Sequence, residues 1–102
     1  MNPSQRIDKF LWFARLAKSR SLAAALCLDG QVLIEGIPVL KPHHPVRVGT
    51  EITLRLRQGE RRVIVRELGT RRGPAPEAQR LYEETMPLTR PTPAPYIPLL
   101  GP

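Results

Sequence analysis

The sequence predicts an α+β domain in which two packed helices lie against a small, mostly antiparallel sheet, with a short C-terminal helix and an extended Pro-rich tail. Three observations carry this. Apolar residues recur at helical spacing from Ile7 to Ala17 and again from Arg20 to Asp29. After Gly30 the period changes to two, and the alternation returns between Ile52 and Leu68. Six of the 12 prolines fall within the last sixteen residues, where neither a helix nor a central strand can form.

In the first helix, Ile7, Leu11 and Ala14 fall at i, i+4 and i+7, with Phe10 and Ala17 beside them. Lys9, Trp12, Arg15 and Leu16 lie on the other side. Asp8 occupies the first turn, where a negative charge suits the helix dipole. Lys18-Ser19-Arg20-Ser21 then breaks the pattern. Ser19 is a plausible N-cap for the second helix, with Ser21 the alternative. Leu22, Ala23, Leu26 and Cys27 would form its buried stripe, and Gly30 has the place of a left-handed C-terminal cap. The linker is so short that the two helices must turn sharply against each other.

Val32 and Ile34 then alternate with Leu33 and Glu35. Glu35-Gly36 marks a turn, and Ile37 to Leu40 resumes as an edge or irregular strand because of Pro38. Lys41 to Pro45 is a loop, and Val48-Gly49-Thr50 a turn. Ile52, Leu54 and Leu56 alternate with charged or polar neighbours as a half-buried strand. Gln58-Gly59 is a hairpin turn, and Arg62 to Leu68 the return strand. Gly69 to Pro76 is a basic connector. Glu77 to Thr85 suits a short helix presenting Ala78, Leu81 and Tyr82.

The bulk properties narrow the function. The 102 residues suffice for one small domain. Lys and Arg total 16 against 9 Asp and Glu, a net charge of +7. That balance favours a polyanion: RNA, DNA or an acidic membrane surface. The single cysteine, Cys27, excludes an intramolecular disulfide and a thiolate zinc cluster. No apolar run approaches the ~20 residues that span a bilayer. The N-terminal residues lack a signal-peptide layout, so a cytoplasmic location is expected, with no membrane partner. No Ser-His-Asp or Cys-His set, Gly-rich phosphate loop or carboxylate pair stands out. A binding protein without cofactor or metal is therefore expected, not an enzyme. His43-His44 has no evident third ligand and reads as an exposed loop.

RIDKFLW, SRSLAAAL and DGQVLIEG together resemble the S4-type RNA-binding domain, or αL motif. That domain occurs in a small-subunit ribosomal protein, in pseudouridine synthases and in some tRNA synthetases. ERRVIVRELGTRRGPAPEAQRLYEET is similar to the segment that follows it in the ribosome-associated family of bacterial heat-shock protein fifteen. The two matches cover residues 6–85. The resemblance implies a lead over 1–5, an S4-type domain over 6–68 and a connector and short helix over 69–86; composition adds a Pro-rich tail over 87–102, expected to be flexible. It also implies binding to ribosomal RNA of the large subunit, with peptidyl-tRNA as a further partner, in rescue or recycling of stalled subunits that carry a nascent chain. A monomer is expected. The alternative is a small S4 regulator or protein-interaction module of another kind, binding tRNA or DNA. The chain departs from the family twice. Glu35-Gly36 stands where Asn-Gly is common, and a Pro-rich tail whose one charge is Arg90 stands where the family has a basic C-terminal helix.

The residues themselves suggest where RNA would sit. Arg20 follows a capping serine at a helix start, where free N–H groups and the dipole favour an anion, and arginine grips phosphate with two donors. The family's RNA-facing positions fall on Arg6, Lys9, Lys18, Ser19 and Arg20. Trp12, Arg15, Arg71 and Arg72 form a second set. Each has a plainer reading. Arg6 can pair with a nearby carboxylate, Lys9 and Arg15 can be solvated charges, and Ser19 can be a cap alone. Trp12 can stack on a base or pack near Tyr82, and Arg71-Arg72 can be a solvated loop.

Overall fold

The protein is described by a computed structural model, which covers residues 3–89. The main sheet has five strands in the order β3-β2-β5-β6-β7: β2 (Val32–Ile34), β3 (Ile37–Pro38), β5 (Glu51–Leu56), β6 (Gly59–Val65) and β7 (Tyr82–Thr89). Every pairing in it is antiparallel. Two helices, α1 (Ile7–Phe13) and α2 (Arg20–Leu28), pack on it. A separate two-residue ladder joins β1 (Gln5–Arg6) to β4 (Pro45–Val46). The core joins Ile7, Phe10 and Leu11 of α1 and Ala23 and Cys27 of α2 to Val32, Ile52, Leu54, Val63 and Val65 of the sheet. The predicted α+β architecture is the one observed.

The first helix ends four residues before the apolar spacing does. Arg15 adopts the left-handed region at φ 59°, and the amides of Leu16 and Ala17 both bond to the Leu11 carbonyl, at 2.9 and 3.1 Å. The apolar pattern runs on because Leu16 and Ala17 are buried from the turn rather than from a helix. The second helix matches its expected limits closely. Ser19 Oγ accepts the Leu22 N–H at 3.0 Å, and Gly30 follows the C-cap at φ 73°, a conformation glycine adopts without a Cβ clash. Its buried stripe is narrower than expected. Ala23 and Cys27 are fully buried and Leu26 partly, but Leu22 is 42% exposed.

The turn Glu35-Gly36 has φ values of 52° and 81°, the double left-handed geometry of a two-residue hairpin. Glutamate fits that region poorly, but its carboxylate accepts the Glu51 N–H at 2.8 Å, and its own N–H bonds back to the Glu51 carbonyl at 3.0 Å. The turn thus survives without asparagine. Regular pairing in β3 stops at Pro38, at the sheet edge where a missing donor is tolerated. Leu33 is buried like its neighbours, so β2 is covered on both faces.

Two expected boundaries move. The hairpin turn is Arg57-Gln58, and the return strand starts at Gly59 opposite Leu56 and ends at Val65. The short C-terminal helix lies earlier than Glu77–Thr85. It is one turn, α3 (Ala75–Ala78), followed by a 3-10 turn over Gln79–Leu81. Tyr82, Glu83 and Glu84 instead pair as strand with Val65, Ile64 and Val63. Cross-strand charge supports the strand, because Arg61 pairs with Glu84 and Arg66 with Glu83. β7 reaches Thr89, into the Pro-rich segment, and lies at the sheet edge. The remainder of the predicted tail, residues 90–102, lies outside the described residues.

Candidate nucleic-acid interface

Asp8 is the pivot of the site, and sequence reasoning assigned it only to the helix dipole. Its side chain is 4% exposed, yet it pairs with two arginines, Arg6 and Arg20, whose side chains are 46% and 41% exposed. Arg6 donates through Nε to Oδ1 at 3.0 Å and through Nη2 to Oδ2 at 2.9 Å, a two-donor grip. Arg20 donates through Nε to Oδ2 at 3.4 Å. The Lys9 N–H reaches Oδ1 at 2.7 Å. Burial alone would raise the Asp8 pKa. The hydrogen bonds from Arg6 and the Lys9 N–H, and the charges of Arg6 and Arg20, outweigh it and hold the carboxyl below its ordinary 3.8. An ionised, buried carboxylate therefore gathers two cations from opposite sides of the helix–helix contact.

The backbone fixes this arrangement. The carbonyls of Pro42 and His44 accept the Asp8 and Ile7 N–H groups at 3.1 and 2.8 Å. The start of α1 is thus clamped by the Lys41–Pro45 loop, and Arg6 is held in a ladder with Pro45. At α2, the Ser19 cap leaves the first-turn amides of Arg20 and Ser21 without an intrahelical partner. Lys18 and Ser19 are exposed beside them, and Lys9 is half-buried. Both plainer readings, the ion pair of Arg6 and the cap of Ser19, are therefore realised, and they leave the cationic ends facing outward.

The second set sits at the other end of α1. Arg15 Nε donates to the Gly73 carbonyl at 2.7 Å, and Arg72 Nε donates to the Trp12 carbonyl at 3.2 Å. These crossed bonds staple the connector to the helix end. Arg71 pairs with Glu77 at 2.8 Å. Trp12 is half-buried and stacks on Phe13, with ring centroids 5.5 Å apart. Tyr82 faces the Arg61 guanidinium at 5.8 Å from the ring centroid. The structure thus unites Arg6 and Arg20, flanks them with Lys18 and Ser19, and separates Arg15, Arg71 and Arg72 from them. A carboxylate two residues after one arginine and twelve before the other is the sequence signal for Asp8, but the crossing of the helices gives it meaning.

Among the described residues, no three His, Cys, Asp or Glu side chains cluster as metal ligands. No helix there is long and apolar enough to cross a membrane.

Comparison with known proteins follows the same lines. The S4 domain profile matches residues 5–52. Heat shock protein 15 of Escherichia coli (strain K12) is 44% identical over 80 residues, covering 78% of this chain and 59% of the relative. Its homolog in Haemophilus influenzae is 40% identical over 80 residues, covering 78% of this chain and 60% of the relative. The chain therefore spans about three fifths of the length of these curated relatives. The structure of Vibrio cholerae Heat Shock Protein 15, described as trimeric, superposes with a TM-score of 0.76 at 42% identity, covering 81% of this chain and 83% of that one. The chain belongs to the heat shock protein 15 family of S4-domain proteins.

Proposed function

We propose that the chain is a cytoplasmic RNA-binding protein that associates with ribosomal RNA of the large subunit. In this reading it takes part in rescue or recycling of stalled subunits that carry a nascent chain, where peptidyl-tRNA is an added contact. The carrying observation is the pair of outward guanidiniums on one buried carboxylate, Arg6 and Arg20 on Asp8. Beside the free first-turn amides of α2 and Lys18, they form a surface suited to phosphates spaced along a backbone. Such a surface grips shape and charge rather than base identity. The chemistry is binding, with no bond made or broken.

If about six phosphates are engaged, log affinity should fall with log salt at a slope of roughly −4 to −5. An affinity for large subunits that barely responds to salt contradicts the proposal. Competition by duplex DNA or free tRNA at equal strength would favour the broader S4 regulator. The unit we propose is a single chain, since the Arg6–Asp8–Arg20 cluster is complete within one copy. Sedimentation across a concentration range tests that against a trimer like the one described for the V. cholerae relative.

A further inference from the structure

Two clefts of the molecule differ in charge. One lies between the connector and the end of α1. It holds Arg71 and Arg80 together with Glu67 and Glu77, and Arg71 is already paired with Glu77. The other, of about 500 Å³, lies between α2 and the β5–β6 hairpin. Its cations are Lys18 and Arg57, and no Asp or Glu lines it. Both residues are exposed, and neither joins an ion pair among the described residues. Positive charge at a cleft without a carboxylate favours an anion. The volume falls within the range of small-ligand clefts, about 300–1,000 Å³.

This cleft begins where the arginine surface ends. Lys18 stands two residues before Arg20, so their Cα atoms are at most about 7 Å apart, and the Ser19 cap between them fixes the start of α2. Leu22 and Leu26 follow down one face of that helix. Leu26 and Leu56 are half-buried against the core and form the apolar inner wall. The amides of Gln31 and Gln58 stand beside it. We propose that the cleft takes one unpaired nucleotide of a bound RNA strand, with its phosphate at Lys18 and Arg57 and its base against Leu26 and Leu56. The inference rests on the RNA-binding reading above and adds to it a place for a base outside the duplex. RNA offers such bases at bulges and loops. A base has an apolar face and a polar edge, which match the leucine wall and the flanking amides. Because an amide both donates and accepts, Gln31 and Gln58 can serve the edge of any base.

The test compares two RNA duplexes of the same sequence, one fully paired and one with a single bulged uridine, binding to the full chain at fixed salt. The bulge is expected to raise affinity about tenfold, the worth of one charge-assisted phosphate contact. Arg57→Ala, at an exposed turn position, should reduce that preference below about twofold. Arg80→Ala removes the same charge from the other cleft and should leave the preference intact. The methyl signals of Leu22, Leu26 and Leu56 should shift with the bulged duplex and not with the paired one, while those of Ile37 and Leu40 shift with neither. Equal affinity for the two duplexes, or equal effects of Arg57→Ala and Arg80→Ala, overturns the nucleotide cleft and leaves RNA binding standing. A bulge preference with unchanged leucine signals places the base elsewhere and also overturns it. Absent or salt-insensitive binding of both duplexes overturns the RNA reading together with the cleft.

Discussion

The two ends of α1 each carry a pair of arginines, and they use them differently. At the start, Arg6 and Arg20 converge on one buried carboxylate and keep their outer N–H groups toward solvent. At the end, Arg15 and Arg72 each bond a carbonyl on the other's segment and tie the connector to the helix. A shared carboxylate gathers positive charge into one place, whereas crossed carbonyl bonds fasten two pieces of backbone. Arginine count and position along the chain do not separate these roles; the acceptor does. Of substitutions at the two ends, only those at the first should therefore weaken RNA binding.

The largest effect is expected at the first end. Arg6→Ala combined with Arg20→Ala should weaken binding to large-subunit RNA about 100-fold, as two charge-assisted contacts are lost. The melting temperature should fall too, because the buried Asp8 carboxylate loses both cationic partners, so affinity is compared in the folded fraction. Filter binding at fixed salt reads the affinity, and a loss below threefold would refute the placement. At the other end, Gly69 touches the helix terminus so closely that an added Cβ would sit 2.9 Å from Phe13 Cβ and 3.0 Å from Leu81 Cδ1. Gly69→Ala should lower stability by about 1–3 kcal/mol through overpacking, measured by urea unfolding, with RNA affinity preserved in the folded fraction. Arg15→Ala with Arg72→Ala should cost about 1–2 kcal/mol for two partly exposed bonds. Its RNA affinity should stay within twofold of the parent; a loss matching that of the first pair would erase the distinction between the ends.

Acid sharpens the comparison further. Because the native Asp8 carboxyl lies below its ordinary 3.8, its contribution is present in full above the unfolded value. It is lost as the pH falls through the lowered native value. Asp8→Asn removes that component, so its stability should vary less with pH in this acid range than the parent's. Equal acid slopes for the two proteins would show that Asp8 is not held ionised by its arginines.

Much of this was legible in the chain itself. The Ser19 cap and Gly30 stop delimit α2, and alternation from Ile52 to Leu56 marks β5, because those signals are local. The end of α1 was hidden, since Leu16 and Ala17 stay buried after the helix stops and continue its apolar pattern. The strand in Tyr82–Thr85 was hidden by good helix formers around it. Its support comes from Arg61 and Arg66 some twenty residues away in sequence, contacts that no local pattern contains. The cations of the site were visible as residues, but their union was not. Arg6 and Arg20 meet only because the turn after Phe13 folds α2 back along α1, with Asp8 between them.

The central claim is that Asp8 gathers the binding arginines, and Asp8→Asn tests it most directly. The substitution keeps the shape and removes one negative charge, taking the net charge from +7 to +8. Bulk electrostatics alone would then strengthen binding to RNA. If Asp8 organises Arg6 and Arg20, affinity for large-subunit RNA should instead fall by about threefold to tenfold, the worth of losing charge-assisted positioning. An affinity equal to or above the parent's, in a folded protein at the same salt, would contradict the account.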